Sequence, residues 1–297
     1  MTQSEEIFIG IDQTGAALQG GRKAKPLPIS GCSWNPALDS NFELIQSPSG
    51  HHRIPHLSVD ALLEWGGERL ERAWRAGRVR LVLDCVLGLP TEVWGHLRSQ
   101  NLSDLFRQAA HEGGETPFGR APAERFFAGV LDEARWSSGD PLPTREPERL
   151  AGANSVFLTR PYQKNIQTGT YRLWVDLARD PRWFRESRIF PSDSQGGRGG
   201  PGNWIFEGYP SWSWTRILGA PSRDFRRAEH WIRQRGPQIQ SQPGLFESYS
   251  SDADLADAAV LAFSGAYLRS RGLLWGYSGR DFREGWILGL EPKYIHI

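Results

Sequence analysis

The chain has 297 residues, with 35 Lys+Arg against 34 Asp+Glu and a net charge of +1. It is 39% hydrophobic and 23% charged, which excludes collagen-like, mucin-like and highly charged disordered chains. The near-zero balance argues against a protein wrapped wholesale in nucleic acid, yet leaves room for a local basic groove.

Residues 7–11 form a short apolar, β-branched run that ends at Asp12 and reads as a buried strand. Gln13 and Gly15 then supply turn chemistry, and residues 28–34 and 42–46 continue a strand meander. Ser58 caps a helix whose apolar spacing runs through Leu70 and Trp74 to an end near Gly77. Residues 79–83 follow as a strand that again ends at an aspartate, Asp84. This strand–helix–strand order predicts an α/β layer with a parallel pair. Residues 91–150 carry helical patches at 94–105 and 123–136 and are read as a mainly helical insertion within one domain spanning 1–297. Residues 156–158, 171–175 and 204–206 are strand candidates. Residues 194–202 read as a flexible loop, 251–268 as a helix, and 286–290 as a closing strand.

Two cysteines, Cys32 and Cys85, are too few for a disulfide framework or a four-cysteine zinc site, and Cys85 reads as a core thiol. The opening MTQSEEIF has no basic stretch followed by an apolar one, so a signal peptide is not expected. The longest apolar run, 258–263, is far short of the roughly 20 residues that a spanning helix needs. The expectation is a cytoplasmic protein without membrane contact, its oligomeric state open.

The chemistry is carried by carboxylates. In an α/β sheet, ligands bind beyond the carboxyl ends of strands, and Asp12 and Asp84 both stand there. Two carboxylates in one place repel unless a cation lies between them; as single residues, each also fits an ordinary turn or capping role. Asp254 and Asp257 are three apart and share a helix face. Asp257 heads the stripe Val260, Leu261 and Ser264, where an unpaired charge is expensive; helix-dipole preference explains Asp254 equally well. Glu207 follows residues 204–206 as another strand-end acid. Carboxylate clusters suit Mg²⁺ or Mn²⁺, and two such ions can activate a water for attack on a phosphodiester.

The order of Asp12, of Asp84 in LVLDCVLGLP, and of the D-x-x-D-A helix at Asp254 and Asp257 resembles the ribonuclease H-like superfamily. The motifs IGID, D-x-x-x-G-L-P from Asp84 to Pro90, E-x-Y-P from Glu207 to Pro210, D-x-x-D-A, and EGWILG from Glu284 resemble the domain of unknown function 429 family, described as nucleases of that fold. The resemblance implies an α/β fold with a mixed five-stranded sheet flanked by helices and an acidic metal site. By the same resemblance Asp12 bridges the metals, Asp84 and Asp257 complete the ligand set, and Asp254 is an extra ligand or proton acceptor. Glu207 falls on a family motif and joins the candidate catalytic set.

Arg216, Arg223, Arg226, Arg227, Arg233 and Arg235 crowd one stretch with only Asp224 and Glu229 as acids. With Trp212, Trp214 and Trp231 they suit phosphate contact and base stacking; a solvated helix face over core tryptophans fits the same pattern. Arg160 and Lys164 form a second basic cluster, and Arg22, Lys23 and Lys25 a third. His51, His52 and His56 lack a second ligand pair for zinc. The Gly-rich 196–200 segment lacks the Gly-Lys-Ser/Thr ending of a phosphate loop.

The favoured expectation is a divalent-metal-dependent nuclease that hydrolyses nucleic acid with a metal-activated water. The alternatives are an ATP-dependent phosphotransferase of the actin-like or sugar-kinase type, suggested by the turn after Asp12, and a non-catalytic binding module.

Overall fold

Alternation along the first strand divides the protein into its two layers. In β1 (Glu6–Ile11), Ile7, Ile9 and Ile11 enter one hydrophobic core while Phe8 enters another on the opposite face. The computed structural model describes residues 5–13, 24–36, 41–113, 119–159, 166–194, 199–220, 227, 230, 234, 239–240, 249, 251–277, 279 and 281–290.

After β1 come β2 (Leu27–Asn35), β3 (Asn41–Ile45), β4 (Arg53–Ile54), α1 (Val59–Arg75) and β5 (Val79–Leu83). Four helices follow: α2 (Thr91–Trp94), α3 (Leu102–Gly113), α4 (Arg120–Glu133) and α5 (Glu146–Ala151). Then come α6 (Ile166–Arg179), α7 (Arg182–Glu186), β6 (Ser187–Ile189), β7 (Asn203–Glu207) and α8 (Pro210–Trp212), which runs into a π-helical turn, Ser213–Ile217. The last elements are β8 (Ile239–Gln240) and α9 (Ala253–Ser270).

The strands pair in the order β6-β7-β5-β1-β2-β3-β8, with β4 on β2. Strand β2 is antiparallel to β1 and β3, while β1, β5, β7 and β6 run parallel. The result is an α/β fold with a mixed sheet flanked by helices. Its five central strands, β7-β5-β1-β2-β3, are compatible with the ribonuclease H-like arrangement.

Helices α1, α3, α4 and α6 cover the Ile7–Ile9–Ile11 face. The Phe8 face is covered by α9 together with Trp212, Trp214 and Trp286. Helix α9 lies directly on β1. A Cβ placed on Gly10 would fall 1.9 Å from the Ala258 carbonyl oxygen and 2.7 Å from the Ala262 nitrogen. Glycine opposite alanines therefore sets the helix-to-sheet distance, and it does so next to both Asp12 and Asp257.

Several segments differ from the sequence reading. Residues 171–175 are helical, within α6, not a strand. Every residue of this helix from Gln167 to Leu177 is buried, against α3, α4 and the rest of the core on that face. Over the five residues 171–175 Tyr171, Leu173 and Val175 alternate and look strand-like, whereas the helical period of Thr168, Arg172, Asp176 and Arg179 shows only over a longer window. Residues 156–158 form a turn, and 286–290 contribute only an isolated bridge between Glu207 and Ile287. The helical patch expected at 94–105 is two elements, α2 and α3, with the second running on to Gly113. The expected capping of α1 is present: Ser58 Oγ accepts from the Ala61 amide at 3.2 Å. Cys32 and Cys85 are both free and buried. Among the described residues, no helix is long and apolar enough to cross a membrane.

Candidate active site

The parallel register brings the first two aspartates together. Ile11 pairs with Leu83 across β1 and β5, and the Asp84 amide donates to the Ile11 carbonyl at 2.9 Å. The next residues, Asp12 and Asp84, therefore leave adjacent strands level with each other. Both continue the parity of Phe8 and Val82, which is the face covered by α9.

Helix α9 delivers the second pair. Its N-cap is Asp252, which accepts from the amides of Asp254 and Leu255 at 3.1 and 3.2 Å and is anchored to Arg53 at 2.6 Å. One turn on, Asp257 is buried and accepts from Trp214 Nε1 at 2.8 Å. Asp254, on the same side of the helix, is only half-buried.

Electrostatics binds these residues into one site. Asp12, Asp84 and Asp257 are 4%, 8% and 3% exposed. Burial, then the charges of Asp84 and Asp257, hold the Asp12 carboxyl well above its ordinary value, and Asp254 adds to the effect. Asp84 is pushed up to about 7, chiefly by burial and further by Asp257 and Glu207, while hydrogen bonds to Asp12 and Gln13 oppose the rise. The Asp12 and Asp84 carboxyls thus share a hydrogen bond, which needs a proton on one of them.

Glu207 stands apart by parity. It pairs with Leu83, one residue short of Asp84, and on the other face. Both its oxygens are engaged. Arg145 Nη2 donates to Oε1 at 2.6 Å, Arg145 Nη1 to Oε2 at 2.7 Å, and the Leu87 amide to Oε2 at 2.8 Å. Arg145 Nε also bonds Glu148 at 2.9 Å, and its Nη1 bonds the Glu284 carbonyl at 2.7 Å. This buried fork gives Glu207 the task of holding the segment after Asp84. Thr170 Oγ1 assists by accepting from the Val86 amide at 3.1 Å, and Trp174 Nε1 donates to the Val86 carbonyl at 2.7 Å. A cavity of about 70 Å³ opens alongside, lined in part by Asp84, Arg145, Glu207 and Tyr209.

Among the described residues, no three His, Cys, Asp or Glu side chains are already splayed around a common metal position. Asp12 and Asp84 are instead closed on one proton. The donor chemistry of the cluster, all carboxylate oxygen, is that of hard divalent cations.

The basic candidates divide in two. Arg216 is exposed and lies over the Trp212 ring at 5.8 Å, and Arg227 is exposed. Arg160, Lys164, Arg226, Arg22, Lys23, Arg223, Trp231, Arg233 and Arg235 lie outside the described residues. Of the two readings of Trp212 and Trp214, core packing holds and base stacking does not. Both rings are buried in the α9 core, at 5% and 1% exposure, and Trp214 turns its Nε1 onto Asp257.

Sequence reasoning overlooked Arg145, Thr170 and the role of Gln13. The Arg145–Glu148 spacing hinted at a local pair, but the partner that matters, Glu207, is distant in the chain. Compared with family models, curated proteins and solved structures, the chain finds no match in any of the three.

Proposed function

We propose that this protein is a divalent-cation-dependent phosphodiesterase, and that its substrate is nucleic acid. One observation carries the reading: Asp12 and Asp84, from separate parallel strands, meet at the carboxyl end of the sheet with Asp257 facing them from α9. Their mutual repulsion inside a buried site is what a bound dication relieves. Asp12, Asp84 and Asp257 would hold it, and the ion would neutralise their charge and activate a water for in-line attack. Asp254, half-buried at the edge of the cluster, is suited to accept a proton from that water. Trp214 fixes the orientation of Asp257. Glu207 and Arg145 hold the loop that carries Asp84. The resemblance of the motifs to the domain of unknown function 429 family supports the same reading. Exposed Arg216 and Arg227 are the described candidates for contacting the substrate's phosphates.

The test is cleavage of single- and double-stranded DNA and RNA with Mg²⁺ or Mn²⁺, comparing the native protein with Asp12→Asn and Asp257→Asn. Loss of cleavage in both variants is expected. Native-level cleavage in both removes the carboxylate cluster from the reaction.

A further inference from the structure

Gly169 sits in the first turns of α6, buried, and its backbone is not in the left-handed region. A glycine in a helix interior costs about 1 kcal/mol relative to alanine, so another demand must keep it there. That demand is the Gln13 side chain. A Cβ on Gly169 would fall 1.4 Å from Gln13 Oε1, 2.3 Å from its Cδ and 2.6 Å from its Cβ. The amide is pressed flat against the helix where a side chain would otherwise stand. Its Oε1 is buried with no hydrogen-bond partner among the described residues. Its other end reaches the Asp84 carboxylate, so Nε2 is the donor. The same helix anchors the backbone beyond Asp84 through Thr170 and Trp174. Gln13 and both backbone groups of Val86 therefore rest on one stretch of α6, Gly169 to Trp174.

We propose that Gln13 is a positioning residue for Asp84, and that Gly169 is the clearance in α6 that lets the Gln13 amide reach it. The role rests on the reading of Asp84 as a cation ligand; the clearance does not. An orienting hydrogen bond to a ligand is typically worth roughly 10–100-fold in metal affinity.

Four proteins test it: native, Gln13→Gly, Gly169→Ala and the double variant; glycine at 13 is needed because the Gln13 Cβ itself lies 2.6 Å from the added methyl. Each is melted in chelator and titrated with Mn²⁺ by calorimetry. Gly169→Ala lowers Tm in the native background, because the amide is displaced. It raises Tm in the Gln13→Gly background, where only the helix-propensity gain remains. Mn²⁺ affinity falls roughly tenfold or more in each single variant, and no further in the double. A Gly169→Ala effect of the same sign in both backgrounds overturns the clearance. Reversed signs with equal Mn²⁺ affinities in all four proteins overturn the positioning role and leave the cation reading standing. Native protein that binds no Mn²⁺ overturns the cation reading and the positioning role together. If Gly169→Ala does not fold, the double variant decides: folded with a Tm above that of Gln13→Gly, it upholds the clearance, and unfolded it overturns it.

Discussion

Replacing Asp84 with asparagine should stabilise the metal-free protein at alkaline pH while removing its response to a dication. The native carboxyl is displaced from 3.8 to about 7 by burial and by Asp257 and Glu207. Holding it ionised at pH 8 in the folded state therefore opposes folding by up to about 4 kcal/mol. Relaxation and water entry reduce such penalties, and the amide hydrogen-bonds less well than the carboxyl, so the net gain is about 1–3 kcal/mol. At about 2–4 °C per kcal/mol, Tm rises by about 2–12 °C. The direction follows from linkage. The folded value lies above the unfolded one, so between pH 4 and 7 the folded state holds the extra proton. The Asp84 penalty is therefore absent below about pH 4, grows as pH rises to about 7, and levels off above that. Calorimetric melts in chelator at pH 5 and pH 8 check this. Asp84→Asn should melt above the native protein at pH 8, with most of the gap gone at pH 5. Added Mn²⁺ should raise the native Tm at pH 8 and leave the variant unmoved. A variant that melts below native by the same margin at both pH values refutes the repulsion on which the site is built.

Arg145→Ala should destabilise by about 3–5 kcal/mol in urea unfolding, since it strands Glu207 and Glu148 without a counter-charge in a buried site. Arg145→Lys should recover little, because a single ammonium cannot reproduce the fork on Glu207. Trp214→Phe removes the donor to Asp257 and leaves a small void where the second ring stood; a loss of at least about 1.5–3 kcal/mol is expected, with weaker Mn²⁺ binding in calorimetry. Gly10→Ala should prevent stable docking of α9, since the added methyl meets Ala258 and Ala262 backbone with no room to move. Soluble Gly10→Ala with native circular dichroism and native Tm would contradict that close approach.

The order of apolar runs, caps and turns along the chain was enough to locate β1, β2, β3, α1, β5, β7 and α9, because each has a solvent-facing side or a clear breaker that leaves its period visible. It was also enough to pick out the acids at strand ends, since a charge that closes an apolar run is conspicuous without any partner. Local signals failed where a short window mimics another period. In α6 Tyr171, Leu173 and Val175 alternate like a strand, and the helical spacing of Thr168, Arg172, Asp176 and Arg179 shows only over more than two turns. Which acids meet was a matter of register and parity. Asp12 and Asp84 emerge level and on the α9 face, while Glu207, one residue short, turns to the opposite face and takes Arg145. Pairings of that kind join positions dozens to hundreds of residues apart, and their energies exist only once the sheet has formed; the same holds for Gln13 lying on Gly169 and Trp214 on Asp257.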